Sequence, residues 1–273
     1  MFPFFATLLS NSPNQFFVTT CTALDLGFMD RNATDFFTHV VLSALRHRET
    51  TGEVRDDFLQ LMIEARNGQL KAVEESELSA FEKEAQLKSA STAATTKSRG
   101  GKQDKVVLTD EMIVAQSILF LLAGFETTQN ALLFTVYELA LSPEIQDTLA
   151  EEVANSLRKN DGKFLYDSIN HLEYLDKVVS ESLRKYPPAI RFERRAATDY
   201  KIPGSDLVIP KDTLVIFPSY GIQHDEEYFP NPEKFDPERF SPEAKATRHA
   251  YSYQPFGHGP RNCIGSFFNP YFH

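Results

Sequence analysis

The longest apolar pattern in the sequence begins after Thr109 and ends at Pro143. Thr109 can cap the first turn of a helix with its side-chain oxygen, and a proline interrupts helical hydrogen bonding. The purely apolar run inside this segment, residues 118–125, is flanked by Gln116, Ser117 and Glu126. It is too short for a bilayer, which needs about 20 residues. The pattern therefore predicts one long central helix, residues 106–142, that passes through the core.

Shorter periodic segments on both sides of this helix predict further secondary structure. Apolar residues at intervals of three and four predict amphipathic helices in residues 32–48, 56–65, 143–159 and 170–185. Short β-branched and aromatic stretches between turn residues predict a meander of strands in residues 200–202, 207–209 and 213–217. The predicted fold class is mainly α with small β-sheets, an α+β architecture. A polar tract, residues 89–105, is predicted to be a flexible surface loop.

The composition excludes several classes of protein. With 42% hydrophobic and 24% charged residues, the 273-residue chain has the composition of a soluble globular protein that can bury a sizeable core. Its 38 acidic and 28 basic residues give a net charge of -10, which argues against nucleic acid as a general partner. The apolar start, residues 1–10, lacks a basic leading segment, so it is predicted to be an internal or interfacial segment and not a signal peptide.

A cysteine near the end of the sequence lies in a loop rich in glycine. The loop, residues 255–265, has the sequence Pro-Phe-Gly-His-Gly-Pro-Arg-Asn-Cys-Ile-Gly, so tight turns can present Cys263. Its thiol can be inert, bind zinc or bind haem iron. Zinc needs several Cys or His ligands, whereas haem iron needs one axial thiolate and Arg261 can neutralise a propionate. The other cysteine, Cys21, is predicted to be a small buried hydrophobe, and two distant cysteines indicate a reducing compartment.

Polar residues interrupt the apolar pattern in the middle of the central helix. One helical face carries Leu119, Leu122, Ala123 and Thr127. Glu126 directly precedes the threonine. One interpretation is a core helix whose threonine bonds to a carbonyl of the preceding turn. The other is a groove beside a cofactor, where a hydroxyl and a carboxylate hold water and pass protons.

A carboxylate and a guanidinium lie one turn apart in the helix predicted at residues 170–185. Glu181 and Arg184 have the spacing of a helical ion pair, which contributes only a few tenths of a kcal/mol when it is exposed. Arg239, further along the chain, can bring a second guanidinium to the same carboxylate. Residues 218–248, which are rich in Pro, Asp and Glu, are predicted to form an irregular segment. The network of Glu181 is predicted to be architectural and to pin this segment to the helix. Packing of aromatic residues is predicted to pin the same segment, through Tyr228, Phe229, Phe235 and Phe240.

Together these motifs resemble those of the cytochromes P450, which are haem-thiolate monooxygenases. The family's ligand loop is similar to residues 256–265, its oxygen-activating helix to residues 123–128, its structural pair to Glu181 and Arg184, and its meander to residues 235–240. The surrounding sequence resembles the animal microsomal type that oxidises steroids, drugs and other xenobiotics. The resemblance implies the C-terminal portion of the cytochrome P450 fold.

The resemblance also implies roles for individual residues. Cys263 would be the axial ligand of the iron, and Thr127 with Glu126 would deliver protons to bound dioxygen. Further residues that would bind the cofactor are Phe256, Gly257, Arg261, Gly265 and Arg194. Positions that match substrate contacts in relatives are Leu119, Leu122, Ala123, Ala189 and Ile190. The structural network would consist of Glu181, Arg184 and Arg239.

The cofactor, partners and location follow from the same resemblance. The cofactor would be haem b on the Cys263 thiolate, with electrons from NADPH through a cytochrome P450 reductase and cytochrome b5 as a further candidate partner. The substrate would be an apolar small molecule such as a xenobiotic, a steroid or a fatty-acid-like compound. The location would be the cytosolic face of the endoplasmic reticulum membrane, where the family contacts the membrane surface.

We expect the sequence to represent only a C-terminal portion of such an enzyme. The membrane anchor and N-terminal region of relatives have no counterpart in it, and Pro270 would stop the helix that follows the ligand loop in the family. Apolar surface of the central helix is then expected to be uncovered. Two functions stay open: a haem-thiolate monooxygenase, and a truncated, catalytically inactive chain that binds haem weakly or not at all.

Overall fold

The computed structural model describes residues 30–69, 108–169, 171–259 and 261–268. The described residues up to Phe125 form one compact unit, and those from Glu126 onward form a second. The predicted surface loop at residues 89–105 lies outside the described residues, as do Cys21 and Pro270.

Two helices of the first unit begin at aspartate caps and end at glycines. Helix α1 is Arg31–Thr51 and helix α2 is Phe58–Asn67, each slightly displaced from its predicted bounds. The Asp57 carboxylate accepts from the backbone N–H of Gln60 at 3.0 Å, which satisfies one of the first-turn donors that a helix leaves without a partner. Gly52 follows α1 with φ 71°, a left-handed conformation that glycine adopts without a steric penalty.

The core of the first unit is small and is bordered by ion pairs. Its buried apolar residues are Leu45, Ile63, Ile113 and Val114. Arg48 donates to both carboxylate oxygens of Asp57, at 2.7 and 2.5 Å, so the end of α1 is linked to the start of α2. Arg66 binds Asp110 at 2.9 Å and also contacts Glu49.

The central helix, α3, is Asp110–Leu141 and runs from the first unit into the second. It begins at the predicted cap, where the Met112 N–H donates to the Thr109 hydroxyl at 3.3 Å. The prediction that it passes through the core is wrong for its middle, because residues 123–129 are exposed and Phe125 is 68% exposed. The helix is apolar around most of its circumference, whereas the described elements bury only part of that surface. By length and composition alone, α3 could cross a membrane.

Three helices open the second unit after α3. They are α4, Pro143–Lys159, α5, Tyr166–Ile169, and α6, Glu173–Lys185. Helix α4 begins at a proline, whose missing N–H costs nothing in the first turn. The Glu152 carboxylate of α4 accepts from the backbone N–H groups of Tyr174 and Leu175, at 2.8 and 3.0 Å. Glu152 therefore caps α6 from a neighbouring helix.

Two antiparallel strand pairs follow α6. Strand β1, Phe192–Arg195, pairs with β4, Leu214–Phe217, and β2, Tyr200–Lys201, pairs with β3, Val208–Ile209. Strand β1 has no clear signal in the sequence and was not predicted. Its sequence, Phe-Glu-Arg-Arg, lacks the alternation of apolar and polar residues that indicates a strand, and its pairing with β4 supplies the backbone hydrogen bonds.

An irregular segment with short helices completes the second unit. It contains α7, Ser219–Gln223, a 3-10 helix, Pro237–Phe240, helix α8, Pro242–Thr247, and a last 3-10 helix, Ile264–Phe268. Phe229, Phe235 and Phe240 are buried, so the predicted pinning of this segment by aromatic packing is confirmed for these three residues. The predicted class, mainly α with small β-sheets, is confirmed for the described residues.

The pair of Arg48 and Asp57 predicts how acid affects stability. The hydrogen bond from Arg48 lowers the pKa of Asp57 from its ordinary value of 3.8 to about 2. Because the folded-state pKa is the lower one, the pair contributes stability above pH 3.8, which is lost as the pH falls toward 2. Asp57→Asn keeps a capping oxygen but removes the charge. Urea unfolding between about pH 5 and pH 2 should therefore show a weaker loss of stability than in the unsubstituted chain.

The control is Asp56→Asn, which removes a neighbouring negative charge and leaves the pair with Arg48 intact. It should keep the full acid dependence of the unsubstituted chain. An equal acid dependence in the two variants would contradict a stabilising role of the pair.

Candidate functional site

A buried ion pair on α6 forms the centre of the second unit. Glu181 and Arg184 have no exposed side-chain surface. The Arg184 Nε donates to Glu181 Oε2 at 2.7 Å and its Nη2 donates to Oε1 at 2.9 Å. This two-point contact fits the planar guanidinium to the carboxylate, a geometry that is stronger than a single hydrogen bond.

The remaining polar atoms of the pair bind backbone from the irregular segment. Arg184 Nη1 donates to the Gln223 carbonyl at 2.9 Å and Nη2 to the Pro232 carbonyl at 2.7 Å. Glu181 Oε1 also accepts from the backbone N–H of Asp236 at 3.0 Å and lies 3.4 Å from Arg239 Nε. The structure thus brings Glu181, Arg184 and Arg239 together and joins α6 to the segment that leads to the 3-10 helix.

Aromatic rings and a further arginine surround this pair. The Phe229 ring centroid lies 5.4 Å from the Arg184 guanidinium and 4.6 Å from that of Arg248, and Phe240 lies 4.8 Å from Arg248. Burial raises the pKa of the Glu181 carboxyl, against the opposing effect of the Arg184 guanidinium. Burial likewise lowers the pKa of Arg248. The rings therefore exclude water from charges that are held by hydrogen bonds and by contacts with aromatic faces.

The loop that carries Cys263 is shaped by two left-handed glycines. Gly257 and Gly259 have φ angles of 72° and 84°, which a side chain would strain. The Cys263 N–H donates to the Phe256 carbonyl at 2.8 Å, so the loop closes on itself. The thiol is exposed and free. A Cβ atom added to Gly265 would lie 3.6 Å from the Cys263 sulfur. Because glycine has no Cβ, residue 265 places no side chain next to the sulfur.

The start of this loop is attached to the helices that surround the ion pair. The Tyr253 hydroxyl donates to the Ser180 carbonyl of α6 at 3.0 Å, and burial raises the pKa of this phenol. The Gln254 N–H donates to the Gln223 side-chain oxygen at 3.3 Å. The ring of Phe192 on β1 lies 3.6 to 3.8 Å from where a Cβ on Gly257 would be. Sequence reasoning missed Phe192 and Gln223, because only the folded chain brings them to the loop.

The other residues predicted to bind the cofactor lie on the loop or on β1. Arg261 is exposed, and Phe256, Gly257 and Gly265 are half-buried. Arg194 on β1 is also exposed, and its guanidinium donates to the Glu193 carbonyl at 2.8 Å. Both arginines therefore present charge at the surface of the second unit.

The residues predicted to act in catalysis lie in the exposed middle of α3. Glu126 and Thr127 are both exposed and belong to the second unit. Helix α3 is continuous through this region, including Gly124.

The predicted substrate contacts belong to different units. Leu119 and Leu122, which are half-buried, and the exposed Ala123 belong to the first unit. Ala189 and Ile190 belong to the second unit, where the Ser219 hydroxyl donates to the Ala189 carbonyl at 2.7 Å. The Tyr220 N–H donates to the Ile190 carbonyl at 3.0 Å.

The second half of α3 is fixed to the end of α6 by a buried carboxylate. Glu138 accepts from Lys185 Nζ at 2.8 Å and from the Tyr186 hydroxyl at 2.6 Å. The rings of Phe134 and Tyr186 stack with centroids 4.3 Å apart. Burial and the nearby Glu138 raise the pKa of Tyr186. This cluster was not predicted, because its members are separated by more than forty residues.

The donor set at the loop fits haem iron better than zinc. Across residues 30–69, 108–169, 171–259 and 261–268, no group of three or more His, Cys, Asp or Glu residues comes together to hold a metal ion. The loop offers one exposed thiol, which matches the single protein thiolate that haem iron takes. A zinc site would require further ligands at the same place.

Neutralising Glu181 tests the buried pair. Glu181→Gln keeps the side-chain shape but leaves the Arg184 charge buried without its counterion, which should lower the free energy of unfolding by about 3–5 kcal/mol. The matched control is Glu238→Gln, which removes an ion pair with Lys177 in which the Glu238 side chain is 60% exposed. Its effect should stay below about 1 kcal/mol. Urea unfolding followed by circular dichroism measures both, and equal losses would contradict the central role of the pair.

The chain is similar to known cytochromes P450 over most of its length. The family model of cytochrome P450 matches residues 18–269. Cytochrome P450 9e2 of Blattella germanica is 41% identical over 247 residues, which cover 90% of this chain and 42% of that protein. Cytochrome P450 6k1 of the same organism is 40% identical, and cytochrome P450 6B6 of Helicoverpa armigera is 37% identical; each alignment covers 89% of this chain and 44% of the relative.

The chain therefore spans about two fifths of the length of these relatives. The matched residues include the buried Glu181–Arg184 pair, the irregular segment that it binds, and the loop that presents Cys263. Because the family model matches residues 18–269, most of the sequence, the chain belongs to the cytochrome P450 family.

Proposed function

We propose that this chain supplies the thiolate ligand of a haem monooxygenase. The enzyme inserts one oxygen atom of dioxygen into an apolar small molecule. The observation that supports this most is the exposed Cys263 thiol on a glycine-rich loop. The residues just before this loop, Tyr253 and Gln254, are hydrogen-bonded to α6 and to Gln223 of α7. A free thiol on a well-supported loop is suited to ligation of a metal centre. Family membership supports the same assignment.

The residues proposed to hold the cofactor lie at the protein surface or in the loop that carries Cys263. Cys263 would hold the haem iron through its sulfur, and Phe256, Gly257 and Gly265 would shape the loop around it. Arg261 and Arg194 are exposed guanidinium groups that can pair with the two propionates of haem b. Bound through Cys263, haem supplies the activation of dioxygen with electrons that arrive one at a time.

Glu126 and Thr127 are the proposed proton-transfer residues. Their side chains are exposed on consecutive positions of α3, where a carboxylate and a hydroxyl can hold water and move protons to the reaction site. The proposed substrate contacts are Leu119, Leu122, Ala123, Ala189 and Ile190. These side chains carry no charge, which favours xenobiotics, steroids or fatty-acid-like compounds over polar substrates.

The electron source and location are also part of this proposal. Electrons come from NADPH through a cytochrome P450 reductase, with cytochrome b5 as a further donor. The site of action is the cytosolic face of the endoplasmic reticulum membrane. The animal microsomal type that the sequence resembles supports both assignments.

A second candidate is a catalytically inactive chain that binds haem weakly or not at all. One observation favours it. Large apolar side chains on α3 are exposed, with Leu132 and Val136 each 63% exposed. Apolar surface of this kind lowers solubility and favours association.

Replacement of the proposed ligand separates the two candidates. With the reduced chain under carbon monoxide, we expect a Soret band at the position typical of thiolate ligation, and Cys263→Ser should abolish it because a hydroxyl is not an equivalent ligand. Cys21→Ser is the control and should keep the band. A purified chain without any haem absorbance would support the inactive candidate, and a thiolate band that survives Cys263→Ser would disprove the ligand assignment.

The proton-transfer role predicts a defect that leaves haem content unchanged. Thr127→Val keeps the branched shape and removes the hydroxyl. With reductase, it should lower the product formed per NADPH consumed by at least about tenfold, because positioned proton transfer contributes that much or more. The matched control, Thr128→Val, changes the neighbouring exposed threonine, which points about 100° away around the helix, and should have little effect. Equal defects in both variants would contradict the assignment.

A further inference from the structure

The last residue of α7, Gln223, is fully buried and hydrogen-bonded through both polar atoms of its side chain. Its Nε2 donates to the carbonyls of Leu183 and Arg184, at 3.2 and 3.0 Å. Its Oε1 accepts from the Gln254 N–H at 3.3 Å. A buried carboxamide with this number of partners is held in one orientation, because rotation would leave several buried groups unsatisfied.

One end of these contacts is the C-terminal turn of α6. The last carbonyls of a helix have no hydrogen-bond partner within the helix. Two of them, those of Leu183 and Arg184, accept from the Gln223 side chain. In return, the Gln223 carbonyl accepts from Arg184 Nη1 at 2.9 Å. Gln223 therefore binds both the backbone and the side chain of Arg184, so α7 cannot shift along α6 without loss of contacts to the buried ion pair.

The other end of these contacts is the loop of Cys263. The Gln254 N–H binds Gln223, and the Gln254 carbonyl accepts from the Gly257 N–H at 3.2 Å. The adjacent Phe256 carbonyl accepts from the Cys263 N–H at 2.8 Å. A short series of backbone hydrogen bonds thus leads from the Gln223 side chain to the residue that carries the thiol.

We infer that Gln223 is a positioning residue that fixes the place of the Cys263 thiolate relative to the buried Glu181–Arg184 pair. This inference rests on the proposed ligation of haem iron by Cys263. A neutral amide is suited to the task, because it offers donors to two carbonyls and an acceptor to an N–H. A glutamate would place a second acceptor opposite the carbonyls of Leu183 and Arg184, and a methionine would offer no hydrogen bond at this position.

The test compares two Gln→Met variants in a Cys21→Ser background of the whole 273-residue chain. Gln223→Met keeps the side-chain length and removes all its side-chain hydrogen bonds. The control is Gln254→Met. It removes the side-chain amide of Gln254, which donates to the Tyr251 carbonyl at 2.9 Å. It leaves the backbone N–H of residue 254 bound to Gln223.

Three readouts distinguish a positioning role from a loss of stability. The first is the rate of hydrogen exchange at the backbone amide of residue 254. The second is the alkylation rate of the Cys263 thiol in the chain without haem. The third is the fraction of the carbon-monoxide Soret absorbance that has the position typical of thiolate ligation, compared at equal haem content. We expect Gln223→Met to speed exchange at Gln254 roughly tenfold, as the loss of one buried hydrogen bond allows. It should also change the alkylation rate and lose part of the thiolate-type band, whereas Gln254→Met keeps all three values.

Each outcome decides the inference. If both variants behave alike, or if Gln223→Met speeds exchange while alkylation and the band stay unchanged, Gln223 does not position the thiolate. If Gln223→Met does not fold, the unsubstituted chain decides: protection of the Gln254 amide comparable to that of α6 supports the inference, and exchange at the rate of an unstructured peptide overturns it. If the unsubstituted chain lacks a thiolate-type band, the proposed ligation fails, and alkylation with exchange still tests Gln223.

Discussion

The second unit depends on the complete burial of one ion pair, Glu181 with Arg184. Removing two charges from water costs several kcal/mol per ion, and their attraction offsets this only when every remaining donor and acceptor is also satisfied. Backbone carbonyls of Gln223 and Pro232 and the N–H of Asp236 meet that requirement. Because those groups come from a segment with little regular secondary structure, the conformation of that segment follows from what the pair must bind.

Local sequence signals predicted the parts of this arrangement that depend on nearby residues. Helix α4 begins at the predicted Pro143, and the spacing of Glu181 and Arg184 indicated their ion pair. Of the four strands in the described part of the chain, three lie where turn residues separate β-branched stretches. Strand β1 had no such signal, because its charged sequence becomes a strand only through pairing with β4. Glu138 and Gln223 were also missed, since their partners lie at least 31 residues away along the chain.

Helix α3 shows the limit of hydrophobic patterns in a different way. The hydrophobic pattern correctly predicted a long helix with a large apolar surface. Such a pattern does not indicate which other segment packs against that surface. In the first unit, Ile113 of α3 is buried, and in the second unit Glu138 binds the end of α6. Between these two attachments, Phe125 and its neighbours are exposed, so the described chain supports α3 near its ends and leaves its middle accessible.

The order of the hydrogen-bonded residues along the chain has a consequence for synthesis on the ribosome. Glu181, Arg184 and Gln223, which hold the loop of Cys263, all precede it in the sequence. Roughly forty residues separate Gln223 from Cys263, which corresponds to several seconds of translation at about 5–20 residues per second. The residues that support the loop are therefore synthesised before the thiol, so a nascent chain can assemble the site in the order in which its parts depend on one another.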